Sequence, residues 1–328
     1  MKAFRYDRPT SVEAASKSLA EGDALLKGNG LDVLDRMKER LDQPNRVVTL
    51  VDVPGLDRIE RTKDGGLRIG AMVTLAQLAG SKDVLQASRA VAEAAAGAAS
   101  PQLRNRATVG GNLAQHTRCG YYRVKTFPCF KRTGDACPVL APGAVQETAG
   151  VFDISACACA SPSSLAPAFG SASAQVVVLG AKGERRMSVA DLYEPPKQGK
   201  ASDTTLVPGD VIVAVETPPP TPATRSGWYE VRQRASFDWA LVACAAEIEG
   251  GEETVTDARI WLGAVAPYPM RSVAAEKALV GRHFNEALAV AAGEAAVTGA
   301  TPLPGTAYKL DLVKVAVKRA LMSAWEKA

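Results

Sequence analysis

The sequence predicts a protein of the α+β class: an α/β first part followed by a C-terminal block of strands and then helices. Three observations carry this. A length of 328 residues implies two or three domains at roughly 100–200 residues each. Strand and helix patterns alternate through residues 11–99 around a Gly-rich turn. Past Pro218–Pro222, a stiff extended break taken as a domain boundary, come strand-like runs and then Ala-rich helices.

In chain order, Ser11 to Glu21 reads as a short helix with Ser11 as N-cap and Ala14, Ala15 and Leu19 as its apolar stripe. A strand, Ala24 to Leu26, runs into the turn Lys27-Gly28-Asn29-Gly30-Leu31-Asp32. Val33 to Leu41 then has helical spacing through Val33, Leu34, Met37 and Leu41. Arg46 to Val53 and Leu67 to Val73 read as strands, and Leu75 to Ala99 as one Ala-rich helix. From Ser100 to about Ser164 periodicity vanishes and Pro, Gly, Arg, Asn and Cys become frequent. A loop of that length inside a domain is usually functional. Beyond it lie a helical stretch at Leu165 to Phe169, a strand at Gln175 to Leu179, a turn at Asp191 to Tyr193 and a strand at Val211 to Glu216. The last block holds strands around Trp228 to Arg234 and Arg259 to Ala266. Between them Ala240 to Ile248 fits strand or buried helix, and helices follow over Ser272 to Val297 and Leu310 to Lys327.

A composition 47% hydrophobic and 23% charged is that of a folded globular chain, which excludes disorder, collagen-like and coiled-coil architectures. A net charge of +4 over this length supplies no basic footprint for nucleic acid. The charged start Met1–Thr10 lacks the apolar core of a secretory signal, and no apolar run is long enough to span a membrane. By its own sequence the chain is expected in the cytoplasm, or in the periplasm if it is exported folded with a signal-bearing partner.

Between a strand and a helix, Gly28-Asn29-Gly30 aims backbone N–H groups toward one point, as a pyrophosphate cradle does. On its own it reads better as an ordinary tight turn, because the three-glycine Rossmann spacing is absent. A second polar turn, Arg104 to Asn112, joins Gly110 and Gly111 to Thr108 and Asn112. Two such turns in one domain make a nucleotide-like cofactor more credible than either does alone.

The cysteines carry the sharper signal. Cys119, Cys129, Cys137, Cys157 and Cys159 fall within 41 residues, and only Cys244 lies elsewhere. Five is an odd number for disulfides, and no signal peptide precedes them. Structural zinc favours Cys-x-x-Cys knuckles, whereas the first four are separated by gaps of nine, seven and nineteen residues. An iron–sulfur cluster tolerates such spacing because the loop wraps around it. Spacing alone leaves Cys157 and Cys159 as alternatives for the fourth ligand. Cys244, in an apolar run, reads as a small buried hydrophobe, and His116 and His283 read as solvated rather than ligating.

At this point the sequence resembles a known family, the FAD-binding medium subunits of the molybdenum hydroxylases, the xanthine dehydrogenase and carbon monoxide dehydrogenase group. The likeness covers essentially the whole chain. It rests on Met1–Tyr6, the Gly28 turn with Leu34–Lys38, Gly66–Ala71, Gln102–Leu113, Leu206–Val213, Arg234–Ala240 and Gly263–Arg271. The cysteine loop, residues 115–160, looks like that of the periplasmic aldehyde oxidoreductases and, less closely, of 4-hydroxybenzoyl-CoA reductase, whose flavin subunits carry an extra [4Fe-4S] cluster. Aligned on Ser155–Ala158 and Pro162–Pro167, it implies Cys119, Cys129, Cys137 and Cys157 as ligands, with Cys159 an extra.

The family fold implies a PCMH-like FAD-binding domain over residues 1–220, in subdomains of about 1–55 and 56–220. A C-terminal domain of the CO dehydrogenase flavoprotein type follows over 221–328 and helps cover the flavin. FAD would be held by Lys27, Gly28, Asn29, Gly30, Leu31, Asp32 and Val33, by Thr108, Gly110, Gly111 and Asn112, and by Leu192. Electrons would come from a partner's molybdenum centre through [2Fe-2S] clusters, in a heterotrimer or a dimer of heterotrimers, and leave to an external acceptor; no residue of this chain is implied as catalytic. Two departures stand out. The usual Ala-Gly-Gly-Thr core is Gly28-Asn29-Gly30-Leu31 here, which removes a hydroxyl, and Glu230 stands where relatives commonly have Lys. FAD is expected to be retained with a different acceptor. The competing readings are a cofactor-free scaffold subunit and a zinc-stapled binding protein.

Overall fold

Gln175–Gly180 and Val211–Thr217 are apolar almost throughout, and such runs belong in a sheet covered on both faces. In the computed structural model, which describes residues 1–251 and 254–326, they pair at the heart of a five-stranded antiparallel sheet. Its order is Ile59–Arg61, Leu67–Gly70, Val211–Thr217, Gln175–Gly180, Gly183–Ser188. Val176 and Val178 enter one core with Leu67, Ile69, Leu165 and Phe169. Val177 and Val213 enter another with Ala15, Val48 and Leu50. A register shift at Val177/Val178 lets Val211, Val213 and Ala214 all serve this second core.

That second core joins the sheet to the start of the chain. Arg5–Asp7, Arg46–Thr49 and Ala24–Lys27 form a three-stranded parallel sheet with Arg46–Thr49 in the middle. The helix Val12–Ala20 packs beside it. Ser11 caps that helix as expected, its Oγ accepting from Ala14 N at 3.1 Å.

Leu75 to Ala99 is not the single helix its composition suggests. It forms three, Leu75–Gly80, Lys82–Ala87 and Arg89–Gly97, because Ser81 and Ser88 take extended backbone and the Ser81 hydroxyl accepts from Val84 N at 3.3 Å. Serine offers the backbone this alternative to continuing a helix. The aperiodic stretch after it holds only short helical turns, among them Val109–Leu113 and Gly120–Arg123. Leu165–Ser171 is buried on every side and fills the main core.

The C-terminal block is a four-stranded antiparallel sheet ordered Met270–Arg271, Val255–Gly263, Val242–Gly250, Thr224–Val231. The ambiguous Ala240 to Ile248 resolves as strand by its period of two. Val242, Cys244, Ala246 and Ile248 face the helices Val273–Leu279, Glu286–Ala295 and Lys309–Glu326, while Ala243 and Ala245 face the main core. Cys244 is thus the buried small hydrophobe that the sequence indicates. Lys309–Glu326 presents Val313, Ala316, Val317, Ala320, Leu321 and Ala324 as one stripe, and Lys327, its expected end, lies outside the described residues. No helix among the described residues is long and apolar enough to cross a membrane.

Candidate functional site

The two polar turns meet. A Cβ placed on Gly28 would stand 3.0 Å from Thr108 Oγ1 and 3.4 Å from Met72 Sδ, a tight fit that glycine relieves where the turns approach. After the strand Ala24–Lys27 the chain reverses at Gly30, whose φ of +89° an L side chain rarely adopts. The helix Leu31–Lys38 starts there, and its first N–H groups have no partner within the helix. The second turn differs. Val109 N donates to Val73 O, Gly110 N to Ala71 O, Gly111 N to Thr108 Oγ1 and Asn112 N to Thr108 O. Asn112 Oδ1 accepts from Ser163 Oγ at 2.8 Å and Leu165 N at 3.2 Å. Donors for a phosphate therefore sit on the first turn, and the second is a rigid wall held to the five-stranded sheet.

Between them lies a cavity of about 770 Å³, within the range of small-molecule and cofactor pockets. Gly28, Asn29, Gly30, Leu31, Asp32, Val33, Thr108, Gly110, Gly111 and Asn112 all line it. Two of the expected residues do not: the Lys27 ammonium turns back to Tyr6 Oη at 3.2 Å, and Leu192 is fully buried in the main core. The wall is completed by Ala71, Met72 and Arg106, by Ala160–Ser164, and by Glu230, Trp239, Ala243 and Ala264 of the C-terminal block. Arg106 belongs to the second polar turn and Glu230 is one of the departures noted above, but no local pattern brings these residues together. They are strand ends and loop positions brought together only by the packing of the two parts.

Asp32, in the first turn of its helix, would repel an anion held there. Its carboxylate instead pairs with Arg36 Nη1 at 3.0 Å, Arg118 Nη2 at 2.9 Å and Arg123 Nη2 at 3.0 Å, and accepts from His116 N at 3.3 Å. Arg123 also reaches Asp35 and Glu39, each at 3.1 Å, so the cysteine loop is pinned to the helix of the first turn. The Arg118 guanidinium stacks on Trp239 at 4.7 Å. His116 is not the solvated loop histidine expected. Its Nδ1 lies 2.9 Å from Tyr122 Oη, and burial with four surrounding cations holds the ring well below its usual pKa, hence neutral.

Glu230 is anomalous on this wall. Its side chain is only 6% exposed, Arg232 Nε stands 3.6 Å from Oε1, and Oε2 has no hydrogen-bond partner. Burial pushes the carboxyl up to about 7, against the pull of Arg232 and the Trp228 indole.

The cysteine loop packs against the cavity, with Cys119 in its wall. Cys157 holds its proton and bonds toward both Cys137 and Cys159, which are drawn down in pKa, while burial raises the Cys119 thiol to about 11. The Cys119, Cys129, Cys137, Cys157 set implied by the family is not closed around one point: Cys157 is the thiol that joins Cys137 and Cys159, Cys119 feels the charge of Cys159 and Cys137, and the Cys129 carbonyl closes a local turn by accepting from Arg132, Thr133 and Gly134 N. Cys157 and Cys159 are two apart in a segment without helix or strand, and both are buried. Among the described residues no three His, Cys, Asp or Glu side chains form a group that could hold a metal ion, so the donors are present but not arranged around a cluster. All six cysteines are free thiols.

A family model described as the FAD binding domain in molybdopterin dehydrogenase matches residues 2–220, and one described as the CO dehydrogenase flavoprotein C-terminal domain matches 228–324. The chain is 39% identical over 282 residues to the aldehyde oxidoreductase FAD-binding subunit of Escherichia coli (strain K12), covering 85% of this chain and 86% of that one. It is 30% identical over 329 residues to the carbon monoxide dehydrogenase medium chain of Hydrogenophaga pseudoflava, covering 98% and 97%. Among solved structures, the carbon monoxide dehydrogenase of Hydrogenophaga pseudoflava lacking the Mo-pyranopterin moiety matches with a TM-score of 0.77 at 27% identity, over 98% of this chain and 97% of that one. Quinoline 2-oxidoreductase from Pseudomonas putida 86 matches at 0.75 and 26%, over 99% and 98%.

Proposed function

This chain belongs to the FAD-binding medium subunits of the molybdenum hydroxylases, and on that premise we propose that it is the electron-relay subunit of an aldehyde- or heteroaromatic-oxidising complex. The observation that carries the reading is the cavity between the Gly28 and Thr108 turns. Its size suits the cofactor, its two turns approach closely where Gly28 faces Thr108, and its unpaired N–H groups sit at a helix start. FAD bound there supplies two-electron redox chemistry that no side chain of this protein has.

The chain's own residues have simpler tasks. Gly28 to Val33 hold the pyrophosphate by backbone donors, and the Arg36, Arg118 and Arg123 cluster neutralises Asp32 so that an anion is tolerated beside it. Thr108 to Asn112 fix the opposing wall. Residues 1–220 act as the binding domain and 221–328 as the cover that contributes Glu230, Trp239 and Ala243. The partners are a molybdenum-cofactor large subunit and a [2Fe-2S] small subunit, with an external acceptor. The 39% identity to an aldehyde oxidoreductase subunit favours an aldehyde over a heteroaromatic substrate.

The loop of Cys119, Cys129, Cys137, Cys157 and Cys159 is assigned to a [4Fe-4S] cluster on its donor chemistry alone: five thiols on one loop, with Cys157 bonding toward Cys137 and Cys159. Because these thiols are not arranged around a metal, no electron step is derived through it. Visible spectroscopy and iron and sulfide analysis of the anaerobically purified chain test both cofactors. Flavin bands with iron removed by Cys137→Ser support the reading; a colourless protein with zinc, or with nothing bound, replaces it with the stapled or scaffold alternative.

A further inference from the structure

A carboxylate in a redox cavity needs a reason to be there. Glu230 lines the flavin cavity with its side chain 94% withdrawn from solvent by the 6% exposure above, and with Oε2 unpaired. The groups around it do not neutralise it fully. On its own strand and the following loop stand Arg232, at 3.6 Å, and then Arg234 and Asp238. The helix Arg89–Gly97 packs on that strand, but its Arg89 and Glu93 pair with each other at 2.6 Å, and Arg104 is spent on Ala98 O. The neighbouring strand sets uncharged Ala243 opposite Glu230. Adding negative charge to a bound flavin would set a second anion beside a buried carboxylate that Arg232 alone accompanies at 3.6 Å, a cost that protonation removes.

We propose that Glu230 is the charge-compensating proton site of the flavin cavity: were a flavin bound there reduced by an electron pair with one proton, the Glu230 carboxylate would take up a second proton from solvent. The balance is two electrons from a reduced redox centre of the partner, one proton to the flavin and one to Glu230, so the cavity keeps its net charge. The effect operates above about pH 7, where the carboxyl starts out ionised, and vanishes below it. This rests on the cavity being the flavin's.

The test is a spectroelectrochemical titration of the flavin bands in the FAD-loaded full chain from pH 6 to pH 9. For a two-electron couple each proton taken up shifts the potential by about 30 mV per pH unit. The wild type is expected to approach about 59 mV per pH unit above pH 7, and Glu230→Gln, with FAD still bound, to stay near 30 mV, converted from the same tenfold step. Equal slopes in the two proteins overturn the proposal. If Glu230→Gln loses flavin or fails to fold, the wild-type slope decides by itself: about 30 mV throughout overturns the proposal. A wild-type chain that binds no FAD overturns the flavin reading beneath it.

Discussion

Arg123 donates from Nη2 to Asp32 Oδ1 at 3.0 Å across 91 residues of sequence, joining the cysteine loop to the first turn of the helix that starts at the Gly30 reversal. Arg36 and Arg118 meet the same carboxylate, and its side chain is only 13% exposed. Asp32→Asn removes the charge and leaves three guanidinium groups without it, a loss of about 2–4 kcal/mol for a largely buried network. The expected outcome is a midpoint of thermal unfolding lowered by several degrees, with faster proteolysis within residues 115–124, read by calorimetry and limited digestion.

Gly30→Ala is expected to damage flavin binding more than the fold. A Cβ there is strained by the φ of +89° and meets Leu34 Cδ1 and Lys27 Cε at 2.9 Å. Left-handed backbone costs an L residue about 1–2 kcal/mol, so a tenfold or greater loss of FAD affinity should appear in a flavin fluorescence titration. Unchanged affinity would show that the first turn does not hold the cofactor.

Lys309 makes the stability of the chain depend on pH. It is 1% exposed, donates only to the carbonyls of Thr148 and Ala264 at 3.4 and 3.2 Å, and burial lowers its ammonium to about 8. Between pH 8 and the ordinary lysine value of 10.5 the unfolded chain holds a proton that the folded chain has released, so stability rises with pH across that window. The gain is at most roughly 3 kcal/mol. Urea midpoints at pH 7 and pH 10 should show it, and Lys309→Met should flatten the difference while stabilising the protein at pH 7.

Lys131 and Asp203 form a buried ion pair, the lysine side chain fully enclosed beside the Tyr122 ring, and its anionic neighbours hold the ammonium above its usual pKa. Asp203→Asn strands a buried cation and should cost about 3–5 kcal/mol. Pairing it with Lys131→Met should recover most of that loss, because both polar partners are then gone. A double variant no more stable than Asp203→Asn alone, measured by urea unfolding, would contradict the pairing.

Much of this architecture is legible in the residues themselves. Val176–Val178 and Val211–Val215 announce a doubly covered sheet, Ser11 announces its helix, and Gly28 and Gly30 announce a turn whose left-handed Gly30 disfavours any other residue. The helix read across Leu75 to Ala99 fails because Ala-rich composition outweighs two serines on paper, whereas in the chain each serine takes extended backbone and ends a helix. The cavity wall was half visible. Its two turns are local patterns, but Ala71, Ala160–Ser164 and Trp239 become neighbours only through tertiary packing, and the charge around His116 comes from Arg36, Lys131, Arg118 and Arg123 scattered over 96 positions of sequence. Leu192 and Lys27, placed by likeness to a family, lie off the wall because core packing and a bond to Tyr6 claim them. Which thiols touch was beyond reach, since spacing says nothing about how a long loop folds.

The Arg118 guanidinium holds Asp32 and Asp35 on one side and lies against Trp239 on the other, so a single side chain straps the C-terminal cover to the helix of the first turn. The consequence is mechanical: lifting the C-terminal cover away from the first turn requires this guanidinium to part either from Asp32 and Asp35 or from the Trp239 ring.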